Sequence, residues 1–218
     1  ANFSIIRKCS FHRLVYMKFS LKVKGKIKGR FDIPRYLGYD RKRKKERNES
    51  MGFKEVPIES VEFNPFERIG KQWMLVTAGD REKFNTMTAS WGGAGVMWGK
   101  NAVTVYIRPQ RYTKEFIDAK DTFTLSFYKE EYRKALSFLG SVSGRDRDKV
   151  AEAGLTPVEA GDTMAFEEAD LVLVCRKMYH APMPPENFDD RSNDEKWYPQ
   201  KDYHVMYIGE ITKVLVKE

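Results

Sequence analysis

The sequence predicts a mainly β domain with short helices, arranged as a six-stranded closed or split β-barrel. Six segments read as strands, and the helical segments between them are few and short. In addition, no Gly-x-Gly-x-x-Gly turn joins a strand to a helix, as a doubly wound dinucleotide fold requires.

Residues 1–50 stand apart from the rest. They hold 16 Lys and Arg against 4 Asp and Glu; the whole chain holds 39 against 31, which leaves 23 against 27 for the remainder. The basic character therefore belongs to this leader. Arg41-Arg43 with Lys42, Lys44 and Lys45 is a charge block of the kind that repels itself and stays solvated. We expect residues 1–50 to be a disordered extension, or upstream sequence joined to a domain that begins at Met51. A tail for nucleic acid or an anionic surface is the sharper alternative. It fits poorly with a folded part that carries a net negative charge, because phosphate-backbone affinity needs a basic face on the domain.

From Met51 the pattern is that of one compact domain, 51–218. Trp73 to Ala78 reads as the first strand and ends at the Gly79-Asp80 turn signal. Asn85 to Trp91 is the second, with Met87 and Ala89 alternating against Thr86, Thr88 and Ser90. Ala102 to Ile107 is the third and Thr122 to Phe127 the fourth. Leu171 to Cys175 is unbroken apolar, which predicts burial on both faces. Val205 to Ile211 with Val214 to Val216 makes a long last strand, bent at Gly209. Helices are predicted from Thr113, as N-cap, to Ala119, and from Tyr132 to Leu139, stopped by Gly140. A third spans Asp148 to Glu152, started by Ser143 with Asp146 and ended at Gly154. The Pro-rich polar stretch Pro182 to Asp194 has the length of a lid or an interface segment.

Only Cys9 and Cys175 occur, without disulfide or zinc-ligand spacing, and the simple expectation is a reducing, cytoplasmic setting. Three separated histidines make no metal site, and no Ser-His-Asp arrangement is visible. The longest apolar runs are far shorter than a membrane span needs.

Chemistry concentrates in two stretches. Arg108-Pro109-Gln110-Arg111-Tyr112-Thr113 places two guanidiniums where a strand gives way to a helix. Guanidinium forks and the free N–H groups of a helix start both suit a phosphate. Equally, the arginines could be solvated rim charges. Asn85 to Trp91 offers hydroxyls and backbone polar groups along one edge, with Met87, Trp91 and Trp98 as cover for a flat ring. Ordinary strand with Trp91 in the core is the competing reading. The Ser143-Gly144-Arg145-Asp146-Arg147-Asp148-Lys149 run adds basic groups near a helix start, and His204 either lines a pocket or is structural.

Phe84-Asn85-Thr86-Met87-Thr88-Ala89-Ser90-Trp91-Gly92, the Arg108 to Thr113 run, the Ser143 to Lys149 run and His204 to Ile211, in this order and spacing, resemble the flavin reductase family of FMN-binding split barrels, which includes flavoredoxin-type proteins. The resemblance covers Met51 to Glu218 and excludes the leader. It implies a homodimer with FMN bound non-covalently near the subunit interface. It also implies that Asn85, Thr86, Met87, Thr88, Ser90 and Trp91 line the ring and ribityl chain. Arg111, Tyr112 and Thr113 would hold the phosphate, with Arg108 close by and Lys149 reaching the phosphate side from its helix; Ser143 is a further cofactor-binding residue. His204 would sit near the ring or the nicotinamide. No protein acid or base is assigned, because the flavin carries the chemistry. The implied activity is hydride transfer from NADH or NADPH to flavin, with electrons passed to an unidentified acceptor, a protein among the candidates. An FMN-containing electron carrier without its own NAD(P)H site is the alternative, and a nucleic-acid-binding barrel with a basic tail is the remote one. No membrane partner is expected.

Overall fold

The structure, a computed structural model, describes residues 52–218. The expectation of a disordered or non-native leader falls on residues outside the described ones.

Ten strands build the domain: β1 (Phe53–Val56), β2 (Met74–Gly79), β3 (Phe84–Ala89), β4 (Gly92–Met97), β5 (Lys100–Ile107), β6 (Thr122–Phe127), β7 (Pro157–Ala160), β8 (Thr163–Phe166), β9 (Leu171–Pro182) and β10 (Val205–Lys217). Eight of them form one antiparallel sheet in the order β3-β2-β6-β9-β10-β5-β4, with β1 alongside the end of β10. The β7–β8 hairpin stands separately. Four helices intervene: α1 (Tyr112–Ala119), α2 (Arg133–Ser141), α3 (Lys149–Glu152) and α4 (Ser192–Trp197). All six predicted strands are present, in a mainly β split barrel.

Strand alternation sorts the core into two clusters. Met74, Val76, Leu125, Leu171, Leu173 and Tyr207 belong to the first, with Phe116 and Ile117 of α1 packed against them. The neighbouring positions Leu75, Val172 and Val174 turn to the opposite face, beneath Leu136 and Leu139 of α2, Val150 of α3 and Phe166 of β8. This is why Leu171 to Cys175 is apolar throughout: every residue of that run is buried, on one face or the other.

The long β10 keeps its pairing with β9 through two register shifts, at Ile208/Gly209 and Ile211/Lys213. Gly209 is required at the first, because a Cβ there would stand 2.6 Å from the Phe123 ring. The bend expected at Gly209 is therefore a bulge set by close packing.

Four strands escaped the sequence reading. β4 is rich in glycine, which strand propensity disfavours, and it is held by a full register against β5. β1, β7 and β8 are four residues each, too short for a period to show. Helix ends also differ. Thr113 lies inside α1, whose N-cap is Arg111. Gly140 lies inside α2, where a Cβ would meet Thr88 at 3.1 Å, so it marks close packing and not a stop. Asp148, not Ser143, caps α3 by accepting from the Ala151 N–H at 3.2 Å. Ser143 instead accepts from the Arg145 N–H, closing a turn. Gly154, at φ +69°, ends that helix as expected. No helix among the described residues is long and apolar enough to cross a membrane.

Candidate functional site

Strand β3, helix α1 and the loop between α2 and α3 enclose a cavity of about 220 Å³. Its wall includes Asn85, Met87, Arg108, Gln110, Arg111, Tyr112, Thr113, Ser143 and Lys149. Three cations and no carboxylate face it.

Two of those cations are held by backbone oxygen. Lys149, 4% exposed, donates from Nζ to the carbonyls of Leu139 at 2.9 Å and Val142 at 3.0 Å. A third N–H of the ammonium remains. Arg111 donates from Nη1 to the Gly140 carbonyl at 2.6 Å. Neither makes an ion pair among the described residues. Burial pushes the Lys149 ammonium down to about 8, and the nearby Arg111 charge pushes the same way. Burial likewise lowers Arg111, with Arg108 adding repulsion. Two partly desolvated cations facing one another are costly unless an anion joins them.

The N-cap Arg111 makes no side-chain cap bond, and of the first-turn N–H groups that of Lys114 is taken by the Arg111 carbonyl at 3.0 Å, which leaves those of Tyr112 and Thr113 at the helix start beside these cations. Thr113, fully buried, has its hydroxyl taken by the Asn85 carboxamide at 2.8 Å. That bond fixes β3 to the helix start. Gly144 packs so closely on Asn85 that any Cβ would run into Oδ1. Together these features suit a phosphate monoester: two cations, helix N–H groups and a rigid polar wall.

At the other end of β3 lies an open cleft of about 550 Å³. Ser90, Trp91, Phe66, Tyr106 and Met183 wall it, and Gly92, Gly93 and Ala94 form part of its lining. No charged side chain lines it. Gly92 has no room for a side chain, since a Cβ would stand 2.7 Å from the Thr104 carbonyl. Trp91 is fixed between Trp197, edge-on at 5.1 Å, and His204, at 4.9 Å. His204 is buried and its Nδ1 meets the Tyr198 hydroxyl at 2.8 Å. Burial lowers its imidazole to about 4, aided by Arg108. It is neutral at physiological pH.

The predicted site residues thus divide. Asn85, Met87, Arg108, Arg111, Tyr112, Thr113, Ser143 and Lys149 meet at one cavity, and Ser90 and Trp91 at the other. His204 reaches Trp91 without lining either cavity. The Thr86 hydroxyl is turned inward, against Thr77 at 2.8 Å, and Thr88 donates to the Leu136 carbonyl at 2.5 Å. Only their backbones remain for a ligand on that strand. Trp98, suggested as ring cover, is 62% exposed at the β4–β5 turn beside Tyr179 and lines neither cavity. Arg108 is engaged by Asp202 at 2.6 Å and by the Trp197 carbonyl at 2.8 Å, so it also ties the chain between β9 and β10. Sequence reasoning did not single out Gln110, Tyr198, Asp202 or Phe66. Asp202 carried no local signal, because its partners are distant in the chain.

A split barrel with a cation-lined cavity at one end of a strand and an apolar cleft at the other has the layout of a ligand-binding barrel. The flavin reductase like domain family matches residues 66–218, and the chain belongs to that family. A search of curated protein sequences finds no significant match. Among solved structures, the FMN-binding domain of a flavin reductases-like enzyme from Shewanella baltica is similar at 18% identity and TM-score 0.55, over 76% of this chain and 77% of that one. Flavoredoxin of Desulfovibrio vulgaris is 26% identical with TM-score 0.52, over 67% and 69%. Flavoredoxin from Methanosarcina acetivorans is 20% identical with TM-score 0.55, over 76% of each chain.

Proposed function

We propose that this protein is an FMN-dependent oxidoreductase of the flavin reductase type, oxidising NADH or NADPH and passing electrons to an acceptor. The carrying observation is the cavity beside β3, with three cations and no carboxylate on its wall. From Asn85 to Ser90 the strand advances about 17 Å, a span suited to an extended flavin mononucleotide with its phosphate at Arg111 and its ring toward Trp91.

When bound, FMN would supply the hydride chemistry. The chain's own residues bind and orient. Arg111, Lys149 and the α1 start neutralise a dianion. Asn85, locked to Thr113 at the start of the strand, gives the phosphate end a fixed polar wall. Ser90 and Trp91 give a polar point and an apolar wall at the ring end, and the uncharged cleft excludes competing ions. The hydrogen bond shared by the Tyr198 hydroxyl and His204 Nδ1 fixes the neutral imidazole against Trp91.

The carrier reading is favoured by one observation. The Arg145 and Arg147 side chains beside the phosphate cavity are each engaged by a carboxylate, Glu115 and Glu152. Among the described residues, these two guanidiniums are thus committed to carboxylates and are not free for the phosphates of a nicotinamide dinucleotide. Anaerobic addition of NADH or NADPH to the FMN-loaded protein separates the two. Bleaching of the visible flavin bands within seconds supports the reductase. Bleaching by dithionite alone identifies the carrier.

A further inference from the structure

Between β9 and β10 the chain leaves the sheet as a 183–203 excursion. Its base is closed by the Val205–Pro182 pairing and the Met183 N–H to the His204 carbonyl at 3.0 Å. Within it, Asp190 accepts from Ser192 and Asn193, and Asp194 from Lys201 and Tyr203. It is a small folded unit. Phe188, Tyr198 and Tyr203 pack on each other inside it.

Besides the Tyr198 hydroxyl bond to His204 Nδ1, its polar attachment to the barrel centres on Arg108 and on one carboxylate. Asp202 Oδ2 receives Arg108 Nη1 at 2.6 Å and Gln110 Nε2 at 2.5 Å. Arg108 also donates to the Trp197 carbonyl and lies over the Tyr198 ring at 5.1 Å. Asp202 Oδ1 is buried without a partner. Both side chains that hold Asp202 also line the cavity proposed for the flavin phosphate. Burial would raise the Asp202 carboxyl, and the Gln110 and Arg108 bonds overcome this and hold it below its ordinary value.

We propose that residues 183–203 are a cap latched through Asp202, and that an anion in the neighbouring cavity releases the latch by recruiting Arg108 and Gln110. This rests on the phosphate reading of that cavity. A phosphate and the Asp202 carboxylate compete for the same guanidinium and amide donors. A buried carboxylate that loses them is driven toward water. The cap carries Trp197 against Trp91, so release uncovers the ring end when the phosphate end fills. Asp202 is a positioning residue in this scheme.

Hydrogen exchange of residues 190–203 in the full chain, with and without FMN or inorganic phosphate, tests this, alongside FMN affinity from fluorescence. FMN should accelerate exchange in the cap while protecting α1. Asp202→Asn should loosen the cap without ligand and tighten FMN binding roughly three- to ten-fold, because the competitor is gone. Gln110→Leu should loosen the cap to a smaller degree, and it stands in if Asp202→Asn fails to fold. FMN binding with unchanged cap exchange, or an Asp202→Asn affinity equal to or weaker than wild type, overturns the latch and leaves the flavin reading intact. Release by inorganic phosphate in a protein that does not bind FMN keeps the latch and removes the flavin reading. Binding of neither anion removes both.

Discussion

At the residue scale, Lys149 decides how the cavity responds to pH. Its ammonium is held by two carbonyls and depressed to about 8 by burial and then by Arg111. A bound dianion favours the charged form, so the bound-state value is higher than the free one. FMN affinity should therefore be level from pH 7 to about 8. Above that it should weaken, by up to about tenfold per pH unit, as the free protein sheds the proton. Lys149→Met should bind more weakly at pH 7 and lose this alkaline limb in a fluorescence titration. The sequence marked Arg111, Thr113 and Lys149 at element boundaries, but only the family resemblance tied them to a phosphate, and it set Asn85 against the ring and ribityl chain, whereas the fold puts Asn85 beside the cations. Thr86 and Thr88 show the limit of that reading. A strand sequence announces hydroxyls but not which face each takes, and here one bonds inward to Thr77 and the other to α2.

At the element scale, the site is a junction of β3, α1 and the α2–α3 loop, and close approach holds it together. Gly144 allows the loop to seat on Asn85. In Gly144→Ala the added methyl must displace Asn85 from Thr113, which should cost about 1–2 kcal/mol of flavin binding energy, roughly ten-fold in affinity. The melting temperature should fall by a few degrees as well, because the buried Asn85–Thr113 bond is lost. Leu173→Ala, in the barrel core, should act on stability alone: a loss of about 2–5 kcal/mol in a urea melt, with FMN affinity retained under native conditions. The six strands were readable from apolar runs and alternation, though only Leu171 to Cys175 of the twelve-residue β9 was seen, and the three helices were readable largely from capping and stop residues. The glycine-rich β4 was not, since its place is set by pairing with β5, a non-local fact. The cap was visible as a long Pro-rich stretch, while its latch is a pairing of residues far apart in the chain.

At the scale of the whole molecule, the described domain leaves the outer edge of β4 unpaired, with Phe66 84%, Val96 73% and Trp98 62% exposed. We propose that a second copy covers this region, in keeping with the homodimer implied by the sequence resemblance. Sedimentation should give a dimer, and Val96→Lys should shift it toward monomer; a wild-type monomer would count against the proposal. The barrel was legible as a class from six strands with few helices, but the two cavities required the fold, because residues from separate elements meet at each. The claim on which the function depends is that Arg111 and Lys149 hold a phosphate, and the most direct test compares FMN with riboflavin, which lacks one. Fluorescence titration should show wild-type protein binding FMN at least thirty-fold more tightly than riboflavin, roughly 2 kcal/mol. Arg111→Ala should erase most of that difference while leaving riboflavin affinity unchanged. Equal affinities for the two flavins in the wild type, or an undiminished preference in Arg111→Ala, would contradict the account.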